Sequence, residues 1–264
     1  AGARFLCSGG VLYAFLRWRG APKPTARQWT ASAIAGTFLL LGGNGLVAWA
    51  EQFVPSGVTA LLVGITPLFF VLTEWAWPGG TRPSLVTMAA LLLGFAGVAW
   101  LAAPWENGAH EGVHVGGALA IIGAALSWAI GSIYSRHAKH SADPMLASAL
   151  QMLTGGTVLT FVALLHGDFS AIDFPAISLR SWTAFAYLTL FGSLVGFSTF
   201  VWLMKHSTPA RVSTYAYVNP VVAVLLGWWI ADEVVTARTL TASVVIVSAV
   251  VIITLQRTRV PAQR

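Results

Sequence analysis

The residues with the plainest chemical pattern are His110-Glu111-Gly112-Val113-His114, which match H-E-x-x-H. That pattern builds a zinc site only on a helix, where both imidazoles face one metal with the carboxylate beside it. Here Gly108, Gly112, Gly116 and Gly117 surround it after Pro104, and no third ligand stands out. The segment reads as a solvated loop, with no metal expected. His137 and His140 flank Lys139 at the end of an apolar run and read as interfacial residues rather than ligands.

A second constellation centres on two prolines inside apolar stretches, Pro67 and Pro220. Each removes a backbone hydrogen bond and frees the carbonyl four residues earlier, at Val63 and Ala216. In lipid a freed carbonyl must face a neighbouring helix or a wet cavity. Thr66 and Asn219 sit beside these prolines. Tyr215 and Asn219 are four apart and share one helix face, whereas Tyr217 points elsewhere but is kept among the lining candidates. Two readings stay open: a structural kink with polar groups holding helices together, or a substrate cavity lined by backbone and these side chains. Asn44 and Gln151 are amides at membrane depth that must find partners, so they are expected to face the bundle interior. Trp128 sits in mid-span, placed to stack on an aromatic or amphipathic solute. Arg4 and Glu74 are the main ionisable residues inside apolar runs, and snorkelling to an interface would account for both. No span carries a central carboxylate of the kind a proton carrier uses, and no nucleophile–base pair suggests an enzyme.

The elements that must hold these residues follow from composition. The 264 residues are 56% hydrophobic and 9% charged, with a mean hydropathy of +0.74. Soluble domains carry roughly a quarter charged residues, so this chain has too little charge to cover a water-facing surface. The net charge of +6 does not mark a nucleic-acid binder, because the basic residues are scattered through short loops rather than gathered on one face. Cys7 cannot form an internal disulfide and is expected to be a small core residue.

Apolar runs near the ~20-residue spanning length recur at 1–18, 31–50, 57–77, 84–103, 116–136, 145–166, 182–204, 211–231 and 239–256. Trp18, Trp29, Trp49, Trp75, Trp77, Trp100, Trp105 and Trp182 lie near run ends, as an interfacial belt does. Alternate loops separate the charges. One set holds Arg17, Arg19, Lys23, Arg27, Arg82, Arg136, Lys139, Lys205, Arg211, Arg257, Arg259 and Arg264. The other holds Arg180 and Arg238 with most of the acidic residues. Lys and Arg mark the cytoplasmic side, so the C-terminus is expected there.

An internal repeat supplies the architecture. An offset of 153 carries Gly43, Trp49, Pro67 and Trp75 onto Gly196, Trp202, Pro220 and Trp228. An offset of 147 carries Leu6, Gly9, Val11, Leu12 and Gly20 onto Leu153, Gly156, Val158, Leu159 and Gly167. The unit is five helices, and an odd number sets the two copies in opposite orientation, the inverted repeat of secondary transporters. The expectation is an all-α polytopic transmembrane helix bundle with repeats at 1–103 and 116–256 and a cytoplasmic tail at 257–264. The first repeat then lacks its first helix, and a ten-helix protein is expected once that helix is counted.

Trp202 to Glu233, WLMKHSTPARVSTYAYVNPVVAVLLGWWIADE, resembles the EamA-type branch of the drug/metabolite transporter superfamily in its helix-loop-helix with Asn219-Pro220 and a closing Glu. The first copy, with Gly57 and Ala60 before Thr66-Pro67, is similar but has Gly79-Gly80-Thr81 where the acidic residue would stand. The resemblance implies a multi-pass inner-membrane exporter of amino acids, other metabolites or drug-like solutes, with a central cavity between the repeats and no cofactor. Its partners would be a small-molecule substrate and the bilayer, not nucleic acid, and a homodimer is compatible with it. A passive channel is the alternative, and a membrane-embedded enzyme a more distant one.

Overall fold

A computed structural model of the chain describes residues 1–54, 59, 62–80, 82–102, 115–138, 143–167, 177–219, 221–222 and 237–255. The described residues are helical, with no strand among them. We number the helices α1 (Gly2–Trp18), α2 (Ala26–Ala50), α3 (Thr66–Ala76), α4 (Leu85–Ala102), α5 (Val115–His137), α6 (Pro144–His166), α7 (Leu179–His206), α8 (Pro209–Val212) and α9 (Ala237–Leu255). Four of them, α2, α5, α6 and α7, are long and apolar enough to cross a bilayer, and Leu85–Trp100 and Leu240–Ile253 are shorter apolar stretches.

Local chemistry sets the helix starts. Thr25 and Gln28 form a reciprocal capping box, so α2 begins at Ala26, five residues before the apolar run expected from 31. Asp143 accepts the Met145 N–H at 2.9 Å ahead of Pro144 at the first turn of α6, and Ser178 accepts from Ser181 at the start of α7. These oxygens satisfy amides that no helical carbonyl can reach. Gly167, at φ +83, ends α6 in the left-handed region where a Cβ is costly.

Two expected helices differ. The run 57–77 is interrupted by a turn at Gly64–Ile65, and α3 begins only at Thr66 with Pro67 in its first turn. The run 211–231 opens with α8, turns at Ser213–Thr214 and resumes as helix over 215–219. A proline at the start of a helix loses an N–H that would have been unpaired there in any case, so Pro67 begins a helix rather than kinking one.

The chain divides into two units that cut across the sequence halves. Unit 1 comprises Ala1–Ala48 and Ile130–His206, and unit 2 Trp49–Ala129 and Ser207–Arg264. In unit 1, α6 is the central helix, packed by α1, α2 and α7. It buries Leu146 through Met152 and then Gly155 and Gly156. Small residues let the backbones meet. A Cβ on Gly9 would lie 2.9 Å from the Leu153 nitrogen, and one on Gly156 3.2 Å from the Leu6 nitrogen. The offset of 147 makes these contacts reciprocal, since it pairs Gly9 with Gly156 and Leu6 with Leu153. Gly36 and Gly155 form the equivalent close approach between α2 and α6. At the far end of this unit, Arg136 of α5 donates to the Met204 carbonyl at 2.6 Å, and Lys205 of α7 donates to the Arg136 carbonyl at 3.2 Å. Each cation thus caps the other helix's C-terminus, where the macrodipole favours it.

Unit 1 also holds two stretches of π-helix, Thr37–Gly45 within α2 and Leu188–Phe197 within α7. The offset of 153 carries the first onto 190–198, overlapping the second. Long π segments are rare, and π-bulges concentrate where function needs a helix to widen or flex.

Unit 2 packs α4 against α9, with α3 on α4 and α8 on both α3 and α9. Its core is Val71, Ala90, Leu91, Val98, Tyr217, Ile246 and Ile253. Gly94 makes room for the Tyr217 ring and Gly97 for Ile246. A second cluster joins Ala50, Val54 and Ile121.

The exterior is apolar. Val11, Phe15, Leu85, Leu119, Phe161, Leu165 and Val244 are exposed, as are Trp18, Trp49, Trp75, Trp100 and Trp182 near helix ends. The interior meanwhile buries Ser8, Ser32, Ser132, Ser135, Ser148, Gln151, Ser193 and Ser198. Apolar outside and hydroxyl-lined inside is the arrangement lipid selects. Cys7 departs from expectation. It is exposed, because α1 turns Phe5, Ser8 and Gly9 inward and leaves Cys7 on the outer face.

Neighbouring glycines separate packing from propensity. Gly9→Ala should destabilise by about 1–3 kcal/mol, because its methyl meets the α6 backbone. Gly10→Ala meets nothing within 4 Å and should be neutral or slightly stabilising. Thermal unfolding followed by size-exclusion chromatography in detergent measures both.

Candidate functional site

The residues singled out by sequence separate into those occupied by structure and those presented for use. Thr66 belongs to the first kind. Buried at 3% exposure, its hydroxyl donates to the Val63 carbonyl at 2.5 Å. That carbonyl is the one expected to face a neighbouring helix or a wet cavity beside Pro67. The neighbouring hydroxyl satisfies it locally instead, and Pro67 is itself buried. Tyr217 is likewise engaged. It is fully buried, and its hydroxyl donates to the Leu91 carbonyl at 2.8 Å while its ring fills the space above Gly94. Tyr217 thus ties the 215–219 segment to α4, whereas the Thr66 bond is local to the turn ahead of α3. Pro220 lies outside the described residues, as do the His110–His114 motif, His140 and the closing Glu233.

Tyr215 and Asn219 stand on the opposite side of the same helical stretch. Tyr215 is half-buried and its side chain lies beside Trp128 of α5, also half-buried. Asn219, one turn on, is exposed. Residues 128, 215 and 219 all belong to unit 2 and present an indole, a phenol and a carboxamide. This set offers stacking area together with hydrogen-bond donors and acceptors. An exposed carboxamide within a membrane span is costly against lipid and belongs against water or a polar solute.

The two amides of unit 1 lie deeper. Gln151 is fully buried; its Nε2 donates to the Ser135 hydroxyl at 2.7 Å, while its Oε1 has no partner among the described residues. One turn before it, Ser148 hydrogen-bonds Ser198 of α7 at 3.1 Å, and one helical step after it, Thr154 reaches the Ser32 carbonyl at 3.1 Å. Asn44, inside the first π stretch, accepts from Arg4 at 3.3 Å. Snorkelling is one account of Arg4 in the sequence; in the structure its guanidinium donates to Asn44. Nothing in composition announces the π stretches that place Asn44 and Ser193, although Gly42-Gly43-Asn44-Gly45 and Gly192 with Gly196 mark helices free to widen there.

Comparison with known proteins agrees with this inside-out bundle. The EamA-like transporter family matches residues 1–103 and 115–255. The uncharacterized inner membrane transporter YedA of Escherichia coli K12 is 36% identical over 264 residues, covering all of this chain and 83% of its own. A probable terminal-alkyne amino-acid exporter of Streptantibioticus cattleyicolor is 25% identical over 218 residues, 81% of this chain and 69% of its own. A solved crystal structure at 22% identity superposes with a TM-score of 0.77 over 98% of this chain and 87% of that one, a likeness of fold. The chain belongs to the EamA-like transporter family and is a multi-pass inner membrane transporter.

If Tyr217 is a strut, Tyr217→Phe should lower stability by about 1 kcal/mol, the cost of leaving the Leu91 carbonyl without its hydroxyl. Transport should be unchanged. Thermal unfolding and uptake on the same preparation check both parts.

Proposed function

We propose that this protein is a secondary exporter of small metabolites, amino acids or amphipathic solutes among them, working by alternating access. The carrying observation is the exposed Asn219 on one helix face with the half-buried Tyr215–Trp128 pair. A membrane span has no reason to present a carboxamide beside two amphipathic rings unless a polar or aromatic partner meets them. We assign Trp128 to stacking, Tyr215 to orienting that indole and Asn219 to a hydrogen bond with the solute. Asn44 and Gln151 supply polar groups inside unit 1.

The paired π stretches favour a carrier. A carrier must bend while its packed glycine crossings stay intact, and two widened helices at repeat-related positions provide sites for bending. The amino-acid exporter among the relatives favours solutes of that size. The arginines and lysines of alternate loops favour a cytoplasmic C-terminus.

Counterflow in proteoliposomes tests this reading. A carrier preloaded with unlabelled solute should transiently concentrate labelled solute, and Asn219→Ala should reduce that overshoot about tenfold, the worth of one good hydrogen bond, with folding retained. Equilibration without overshoot would make the protein a passive channel. Full overshoot in Asn219→Ala would remove that residue from the site.

A further inference from the structure

Arg4 is a charge in a place that needs a reason. It lies about 21 Å along α1 from Trp18 at 1.5 Å per residue, so a hydrocarbon layer of about 30 Å leaves it well inside the membrane. The contacts of α1 with α6 agree. Gly2 meets Thr160 and Gly9 meets Leu153, which sets Arg4 near the level of residue 158, some eight residues short of the end of α6 at His166.

Its surroundings hold it in place without neutralising it. The guanidinium is half-buried, its carbon 4.5 Å from the centroid of the Phe5 ring, and one Nη donates to the neutral Asn44 oxygen at 3.3 Å. That is long for a charged donor, whose bonds to an anion run at roughly 2.7–2.9 Å. The buried Nε has no acceptor among the described residues. No carboxylate among them is paired with Arg4. A structural arginine at this depth would be expected to spread its five N–H groups over carbonyls or a carboxylate.

The same face of α1 looks onto both π stretches. Asn44 belongs to the first. Ser8, one turn after Arg4, donates to the Thr189 carbonyl of the second at 2.8 Å. Four residues beyond Thr189, Ser193 is fully buried with its hydroxyl unengaged among the described residues. A fixed cation and a neutral amide that positions it are the elements of an oxyanion subsite.

We propose that Arg4, oriented by Asn44, binds the carboxylate of the transported solute, so that this carrier selects carboxylate-bearing solutes. The proposal rests on the transport reading for the word transported, but the binding chemistry is tested without it. Arg4 is the binding group and Asn44 the positioning residue.

The test uses the purified full chain in phosphatidylcholine nanodiscs with acetate, phenylacetate, phenylalanine and phenethylamine, which keeps the ring but lacks the acid. At least one of the three carboxylates should raise the unfolding temperature by about 2–4 °C, and phenethylamine should not. Arg4→Gln should abolish the shift, and Arg4→Lys should keep part of it. Asn44→Asp provides a variant that does not depend on tolerating a lost charge. Its internal carboxylate should satisfy Arg4, raise the basal unfolding temperature and remove the response to added acid. No shift with any carboxylate, or an equal shift in Arg4→Gln, overturns the subsite. If phosphatidylglycerol gives an Arg4-dependent stabilisation that displaces the acid, the anion is a lipid phosphate and the solute assignment is overturned. Counterflow of whichever acid binds separates the two readings. Overshoot lost about tenfold in Arg4→Gln supports both, whereas binding with no counterflow upholds the subsite and refutes carrier transport.

Discussion

Helices in a bilayer gain nothing by hiding apolar surface from one another, since lipid tails are as apolar as leucine. Association must come from close backbone approach and polar contacts. The crossing of α1 and α6 is where this constraint is met most fully. Gly9 admits Leu153 and Gly156 admits Leu6, each glycine making room for the repeat-mate of the residue that faces the other. Everything placed in unit 1 depends on that crossing. It sets the depth of Arg4, brings Ser8 to Thr189, and leaves the middle of α6 to carry Ser148, Gln151 and Thr154 toward its neighbours.

A bundle held by tight crossings alone would be rigid, which the proposed alternating access does not allow. The π stretches lie beside those crossings. Thr37–Gly45 lies in the same helix as Gly36, which packs against Gly155 at the start of the stretch, so one part of α2 is fixed and the next is widened. Leu188–Phe197 does the same in α7 ahead of Ser198, which is tied to Ser148. In unit 2 the corresponding contrast lies between Tyr217, locked to Leu91, and Asn219, two residues on and exposed. Residues two apart thus divide between one packed into the fold and one left exposed.

Much of this was legible in the sequence because lipid imposes simple rules. Apolar runs gave the helices, loop arginines and lysines gave an orientation to test, and repeated Gly, Trp and Pro pairs pointed to equivalent helices. What could not be read were local choices among hydrogen bonds of similar energy. Pro67 frees the Val63 carbonyl whether a cavity or a neighbouring hydroxyl answers it, and only coordinates show that Thr66 does. Tyr215 and Tyr217 differ by half a helix turn, which periodicity reveals, but which of the two faces is packed depends on Gly94 of another helix. The widening from α to π changes which residues share a face without changing composition, so the meeting of Arg4 with Asn44 had no sequence signal.

In the proposed cycle, Asn219 faces a water-accessible route opened to one side of the membrane at a time. With Cys7, the single cysteine of the chain, replaced by serine, Asn219→Cys can be challenged with a membrane-impermeant maleimide from either side of sealed vesicles. Alternating access predicts labelling from both sides, with a carried solute protecting the thiol and an imposed solute gradient favouring one side over the other. A thiol that stays unlabelled from both sides in folded protein would place position 219 in lipid or packed core. Labelling at equal rates from both sides under every gradient would describe an open pore. Either result would rule out alternating access at Asn219.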